Sequence, residues 1–157
     1  LRNDNEGRKV IKIINNNKKA YHDYFILDEF EAGIKLKGSE VKSIRNGQVN
    51  LKGSFCKIVK GEIFLFECHI SKYSQQNQWD SYSETRERKL LLSKKEISKL
   101  HNELKLYQGY SIVPLNIYFN ENNKCKLKIG LVKGKKDYDK RHAEKEKDLK
   151  RKISEHL

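Results

Sequence analysis

Apolar and polar residues alternate along much of this chain, and the period of two is clearest over residues 23–36. Tyr24, Ile26, Phe30, Ala32, Ile34 and Leu36 share one face there, interrupted by Asp28, while Phe25, Leu27, Glu29, Glu31, Gly33 and Lys35 share the other. The pattern predicts one long strand, bent near Asp28–Glu29 or at Gly33, with Glu31 turned away from the core. Residues 54–60 and 62–69 flank Gly61 and read as a tight hairpin. Its second arm has Ile63 and Leu65 opposing Phe64, Phe66 and Cys68, the pattern of a central strand covered on both faces. A second hairpin is predicted from 110–119 and 124–133 around Asn120-Glu-Asn-Asn123. Val113, Leu115, Ile117 and Phe119 are expected on one face of its first strand. In its second strand Cys125, Leu127, Ile129 and Leu131 point inward, and Lys124, Lys126 and Lys128 point outward.

The period changes in two places. After Gly38, with Ser39 as a candidate N-cap, Val41 and Ile44 lie three apart and Gly47 is a natural C′ residue, so a short helix is predicted. Ser93-Lys-Lys-Glu96 is a capping box, followed by Ile97, Leu100, Leu104 and Tyr107 on one helical face and stopped by Gly109. Residues 71–87 form a long polar loop with Trp79 and Tyr82 as its large apolar groups. The N-terminus is polar, with the Asn15-Asn-Asn-Lys-Lys19 run as a loop signal after a short extended segment. These elements predict a mainly β fold: a small antiparallel barrel of the oligonucleotide-binding (OB) type with about two packed helices. The domain division expected is a flexible segment 1–16, a barrel 17–134 and a basic tail 135–157.

The tail changes the picture. Residues 135–157 carry nine Lys and Arg and six Asp and Glu, with Ala143, Glu146, Leu149, Ile153 and His156 as a thin stripe at helical spacing. So polar a segment does not offset its own ordering entropy, and we expect it to be helical only when bound to a partner. The whole chain has a net charge of +13 over 157 residues, which points to a polyanionic partner. No apolar run approaches the roughly 20 residues of a membrane span, and no membrane is expected as a partner. Cys56, Cys68 and Cys125 lack metal or disulfide spacing and read as core thiols of a reducing compartment. The chain contains no Met, so residue 1 is read as following a removed segment; its Lys, Asn and Ile richness leaves an organelle origin open beside a bacterial cytoplasm.

Enzyme chemistry is poorly supplied. No dinucleotide-binding or phosphate-loop glycine motif occurs, the five His are scattered, and neither cofactor nor metal is expected. His22-Asp23 is a poor dyad if both lie on a strand, where neighbours face opposite ways. Binding chemistry is richer. Lys42 and Arg45, three apart on the short helix, Arg86, Arg88 and Lys89, and the strand-face lysines Lys124, Lys126 and Lys128 are candidate phosphate contacts. A guarded strand edge explains those three lysines equally well. His22, Tyr24, Phe25 and Trp79 are candidate stacking groups for unpaired bases.

Several motifs in order carry a resemblance: Asn17-Lys-Lys-Ala-Tyr-His-Asp-Tyr-Phe-Ile26, Phe30-Glu-Ala-Gly-Ile34, Gly38-Ser-Glu-Val-Lys-Ser43, Val49-Asn50-Leu51, Arg88-Lys-Leu-Leu-Leu92, Ile112-Val-Pro-Leu115, and Gly134-Lys-Lys136 with Tyr138-Asp-Lys-Arg141. Over about residues 10 to 150 the chain resembles the SmpB family, the SsrA-binding proteins that partner transfer-messenger RNA (tmRNA) in bacterial ribosome rescue. The resemblance implies an OB-type barrel that binds the tRNA-like domain of tmRNA, acts as a monomer and has no enzymatic activity. It also implies a tail that lies in the empty mRNA channel near the small-subunit decoding region and becomes helical there. Family tmRNA contacts fall on Glu31, Leu91, Ser93 and Lys126, with His22 and Tyr24 nearby. Tail positions fall on Gly134, Lys135, Lys136, Tyr138, Asp139, Lys140 and Arg141, and Lys145 and Lys147 extend the same cationic stretch. Ser93 stands where relatives often have Asn or His, and Tyr21 where Arg is common. The alternative from a different class is a general single-stranded RNA binder on the same barrel, with a dispensable tail.

Overall fold

The computed structural model describes residues 12–73 and 81–135. Among these, nine strands and three helices follow the order β1 (Lys12–Asn16), α1 (Lys18–Asp23), β2 (Tyr24–Ile34), α2 (Gly38–Arg45), β3 (Val49–Asn50), β4 (Phe55–Val59), β5 (Glu62–Phe66), β6 (His69–Ile70), β7 (Arg88–Leu91), α3 (Lys94–Leu106), β8 (Tyr110–Phe119) and β9 (Cys125–Gly134). The main sheet runs β1-β8-β4-β5-β7-β2-β9, and a further β8–β9 pairing closes it into a ring with β1 added outside β8. The expected antiparallel barrel is therefore present. Strands β3 and β6 form a separate small ladder.

The predicted hairpins pair as the sequence requires. Lys60 and Gly61 both take positive φ between the paired residues Val59 and Glu62, the geometry of a two-residue primed turn. Strand β2 breaks register between Ile26 and Asp28 against β9, so the bend falls close to where alternation falters. Its inward residues cover a core built from Ala32, Ile63, Leu65, Leu90, Leu127 and Ile129, with Ile44 of α2 and Leu100 of α3 fully buried against it.

Other expectations are corrected. The Asn-rich run is not a loop: Asn15 and Asn16 end strand β1, and Asn17 caps a helix, accepting the Ala20 N–H at 3.2 Å. The Asn17 amide also donates to Pro114 O at 2.8 Å, so a polar side chain that reads as loop is a buried clamp. Helix α2 starts before Ser39, which lies buried in its first turn; Glu40 instead reaches back to accept the Lys37 N–H at 2.8 Å. Strand β5 is covered fully on one face only, since Phe64 and Phe66 stay half-buried and Phe66 stacks on Phe55 at 5.5 Å. A positive φ at Glu67 then turns Cys68 into the core. In β8 the register shifts between Pro114 and Asn116, which moves Val113 and Leu115 off the face of Ile117 and Phe119. They join Ala20 and Val132 in a second cluster beneath α1.

The polar centre of the fold is a buried carboxylate with two guanidinium groups. Glu40 and Arg88 are both fully buried and paired at 2.6 Å, and Arg86 reaches the other Glu40 oxygen at 2.5 Å. Arg88 makes three further hydrogen bonds, to Cys68 O, Arg86 O and Glu84 O. This constellation ties α2 to β7 and to the chain beside β6. Burial alone would raise the Glu40 pKa, but the hydrogen bonds from Arg86, the Lys37 N–H and Arg88 outweigh it and hold the carboxyl below its ordinary range. Cys56 and Cys68 are free and buried, Cys125 is free and half-buried, and burial pushes the Cys68 thiol up to about 11.

Candidate nucleic-acid interface

Cross-strand partners share a sheet face, so the register identifies which outward side chains meet. One row across the outside of the barrel runs Ile13, Tyr118, Lys126, Gly33, Leu91 over β1, β8, β9, β2 and β7. The neighbouring row contains Asn116, Lys128 and Glu31. Five strands at about 4.8 Å spacing make this face roughly 19 Å wide. Glu31, Lys126 and Leu91, singled out separately in the sequence, thus converge on a single surface. Leu91 is 53% exposed although it is a large aliphatic group. Gly33 keeps the row close: a Cβ there would stand 3.3 Å from Leu91 Cβ.

Glu31 is exposed, as alternation predicts, and its Oε2 accepts a hydrogen bond from the Tyr118 hydroxyl. Burial, then the hydrogen bond and the negative charge of Glu31, push the Tyr118 phenol well above its ordinary range, so it stays protonated and donates. Lys128 stands directly across from Glu31, yet its ammonium lies 3.7 Å from Glu29 Oε2. Tyr118 and Asn116 are not among the candidates that the sequence singles out. The predicted hairpin around Asn120–Asn123 implies the 118–126 pairing, and that is the available signal.

Helix α1 covers the far end of the same face. Tyr21 lies beside Asn116, whose amide donates to the Tyr21 hydroxyl at 3.5 Å. His22 is almost fully exposed and Tyr24 half-buried at the end of the helix. His22 and Asp23 sit on the last turn of α1 rather than on a strand, and Nδ1 meets Oδ1 at 2.9 Å, which corrects the expectation that they point apart. That hydrogen bond is the main reason the Asp23 carboxyl lies below its ordinary range. The Asp23 carbonyl accepts the Lys135 N–H at 2.8 Å, and Tyr24 pairs with Gly134, so the chain leaves β9 beside His22. Lys135 places its ammonium 5.4 Å from the Phe25 ring.

The other candidates divide. Arg88 has no exposed surface and is a structural residue, which corrects its assignment as a phosphate contact. Arg86 is about one-quarter exposed and shares Glu40. Lys89 faces outward but pairs with Glu62 at 3.0 Å. Arg45 is exposed, stacks over Phe119 at 4.3 Å and bonds Asn123 Oδ1 at 3.2 Å, next to the exposed Lys124. Lys42 is exposed on α2, its ammonium 5.5 Å from the Tyr73 ring. Ser93 is exposed two residues beyond Leu91, but its hydroxyl accepts the Glu96 N–H at 3.1 Å and donates to the Glu96 carboxylate at 3.0 Å. Trp79, Lys136, Tyr138, Asp139, Lys140, Arg141, Lys145 and Lys147 lie outside the described residues.

A closed antiparallel barrel with added helices, a lysine-bearing outer sheet face and a large positive net charge defines an RNA-binding barrel of the OB type. The SmpB protein family profile matches residues 14–157, and the chain belongs to the SmpB family. It is 56% identical over 147 residues to the SsrA-binding protein of Helicobacter hepaticus, covering 94% of each chain. It is 49% identical over 142 residues to that of Macrococcus caseolyticus, covering 90% of this chain and 91% of the relative. A solved structure described as "tmRNA-SmpB: a journey to the center of the bacterial ribosome" contains a similar chain, with a TM-score of 0.65, 42% identity, and coverage of 83% of this chain and 87% of that one.

Proposed function

We propose that this protein binds the tRNA-like domain of tmRNA and delivers it to stalled ribosomes in trans-translation. It is an adaptor and not an enzyme. The observation that carries the reading is the convergence of Glu31, Leu91, Lys126 and Lys128 on one outer face of the barrel. The lysines supply phosphate contacts, Leu91 an apolar platform for an unpaired base, and Glu31 an acceptor for base or ribose donors. His22 and Tyr24 extend that face toward the point where the tail leaves, and the tail 135–157 carries the ribosome-facing function in the mRNA channel. Arg45 and Lys124 sit at the opposite end of the hairpin and supply general phosphate attraction. Bacterial relatives make a bacterial cytoplasm the setting of this reading, and they give no support to a plastid origin.

Two outcomes are expected. Glu31→Ala should weaken binding of a tRNA-like tmRNA transcript by roughly 1–3 kcal/mol, because a buried RNA donor is left without its acceptor; filter binding at fixed salt measures this, and unchanged affinity would sink the assignment. Lys126→Ala with Lys128→Ala should flatten the plot of log affinity against log salt by about 0.7–0.9 for each phosphate that is no longer neutralised. Competition with poly-U tests the general single-strand alternative: equal displacement by poly-U and by tmRNA would favour it.

A further inference from the structure

We infer that the Tyr118 hydroxyl is a positioning group that keeps the Glu31 carboxylate away from Lys128 and Lys126, so that this face presents acceptor and cations to RNA as separate groups. The inference rests on the assignment of the outer face as the tmRNA surface and adds a residue to it. Directly opposite residues on paired strands have Cβ atoms about 4.5–5.5 Å apart, so Lys128 stands within easy reach of Glu31. Lys126, two residues along on the same strand face, is within reach of a long carboxylate on the diagonal. An exposed Glu flanked by two such lysines would ordinarily pair with one of them. Here it does not: Oε2 is taken by Tyr118, and Lys128 turns to Glu29 at 3.7 Å.

Tyr118 is suited to the task because it is buried between paired strands. The residue is only 4% exposed and lies between the strands that carry Ile13 and Lys126. Its phenol stays protonated at neutral pH, so the O–H is there to donate to Glu31. A carboxylate oxygen has capacity for more than one hydrogen bond, and Oε1 remains for an N–H or O–H donor of an unpaired nucleotide. Removal of the hydroxyl releases Glu31 toward Lys128 or Lys126. One displacement would then take away both an acceptor and a phosphate-binding cation, although neither Glu31 nor a lysine has been changed.

The test uses Tyr118→Phe in the full chain with a tRNA-like tmRNA transcript, alone and combined with Glu31→Ala, over a series of KCl concentrations. Affinity should fall roughly three- to tenfold, the scale of one hydrogen-bonded group misplaced. The salt dependence should flatten by about 0.7–0.9, one phosphate's share. In the Glu31→Ala background the same Tyr118→Phe change should have no further effect on either quantity. A crystal structure of the free Tyr118→Phe protein should show the Glu31 carboxylate within ion-pair distance of a lysine. Equal loss with and without Glu31 would make Tyr118 merely structural and overturn the inference. So would a Glu31 carboxylate that stays in place in the variant crystal. If Glu31→Ala itself leaves affinity unchanged, the surface assignment fails. If Glu31→Ala weakens binding while Tyr118→Phe does not, only the positioning role fails.

Discussion

A Glu40→Gln protein should lose about 3–5 kcal/mol of folding stability, the penalty for removing one partner from a buried ion pair. Glu40 and Arg88 are both shut off from water, and Arg86 depends on the same carboxylate. Gln has the same shape, so the change leaves the core volume intact and isolates the electrostatic effect. What remains is a buried guanidinium facing one neutral acceptor and the carbonyls of Cys68, Arg86 and Glu84. Against a total stability of roughly 5–15 kcal/mol for a domain, that loss threatens folding at working temperature. Urea unfolding at neutral pH is the measurement, and a shift under about 1 kcal/mol would contradict the electrostatic account.

The same pair should contribute to the acid limb. The folded Glu40 pKa lies below its reference value of 4.5, so its contribution is complete above that value and is lost as pH falls through the folded pKa. The gap in stability between parent and Glu40→Gln should therefore narrow in acid, since a protonated Glu40 resembles Gln. A gap that stays constant from neutral pH to well below 4.5 would show that the pair does not govern acid unfolding.

How much of this is legible in the sequence depends on the range of the interaction. Alternation over 23–36 locates β2, its bend and the outward Glu31, because period-two patterning is a local consequence of one buried face. The capping box at Ser93 and the turn at Gly61 are equally local. Three of the misreadings, those of Asn17, Arg88 and Tyr118, involve a partner distant in sequence. Asn17 looks like a loop residue until Pro114, 97 positions away, supplies its acceptor. Arg88 looks like a phosphate contact until Glu40, 48 positions away, buries it. Tyr118 looks like another aromatic of a strand until Glu31, 87 positions away, is placed beside it. The β8 register shift is invisible because every residue from Ile112 to Phe119 except Asn116 is apolar or Pro, Tyr included, so no polar position marks where the faces exchange. A polar side chain has one meaning on a surface and another in a core, and composition does not tell which.

Removing residues 139–157 should abolish tagging of peptides on stalled ribosomes while leaving the affinity for a tRNA-like tmRNA transcript within a factor of about two, the scale of a surface change. The two activities separate because they are carried by different charges. The truncation removes seven Lys and Arg and five Asp and Glu, a net of +2, so the remainder keeps +11 of the full +13. Every residue of the Glu31–Tyr118–Lys126–Leu91 face also remains, as does the Asp23–Lys135 backbone bond that fixes the start of the tail. Attraction of the body to tmRNA is therefore nearly unchanged. Under the proposed function, the seven Lys and Arg of the removed segment are the groups that would meet a second polyanion, the ribosomal RNA along the mRNA channel. A peptide-tagging assay on ribosomes stalled without a codon, run beside filter binding on the same truncated protein, measures both halves. If tmRNA affinity collapsed together with tagging, the tail would belong to the tmRNA surface. If tagging survived, entry of the complex into the ribosome would rest on the barrel alone, and the charge pattern after Gly134 would need another partner.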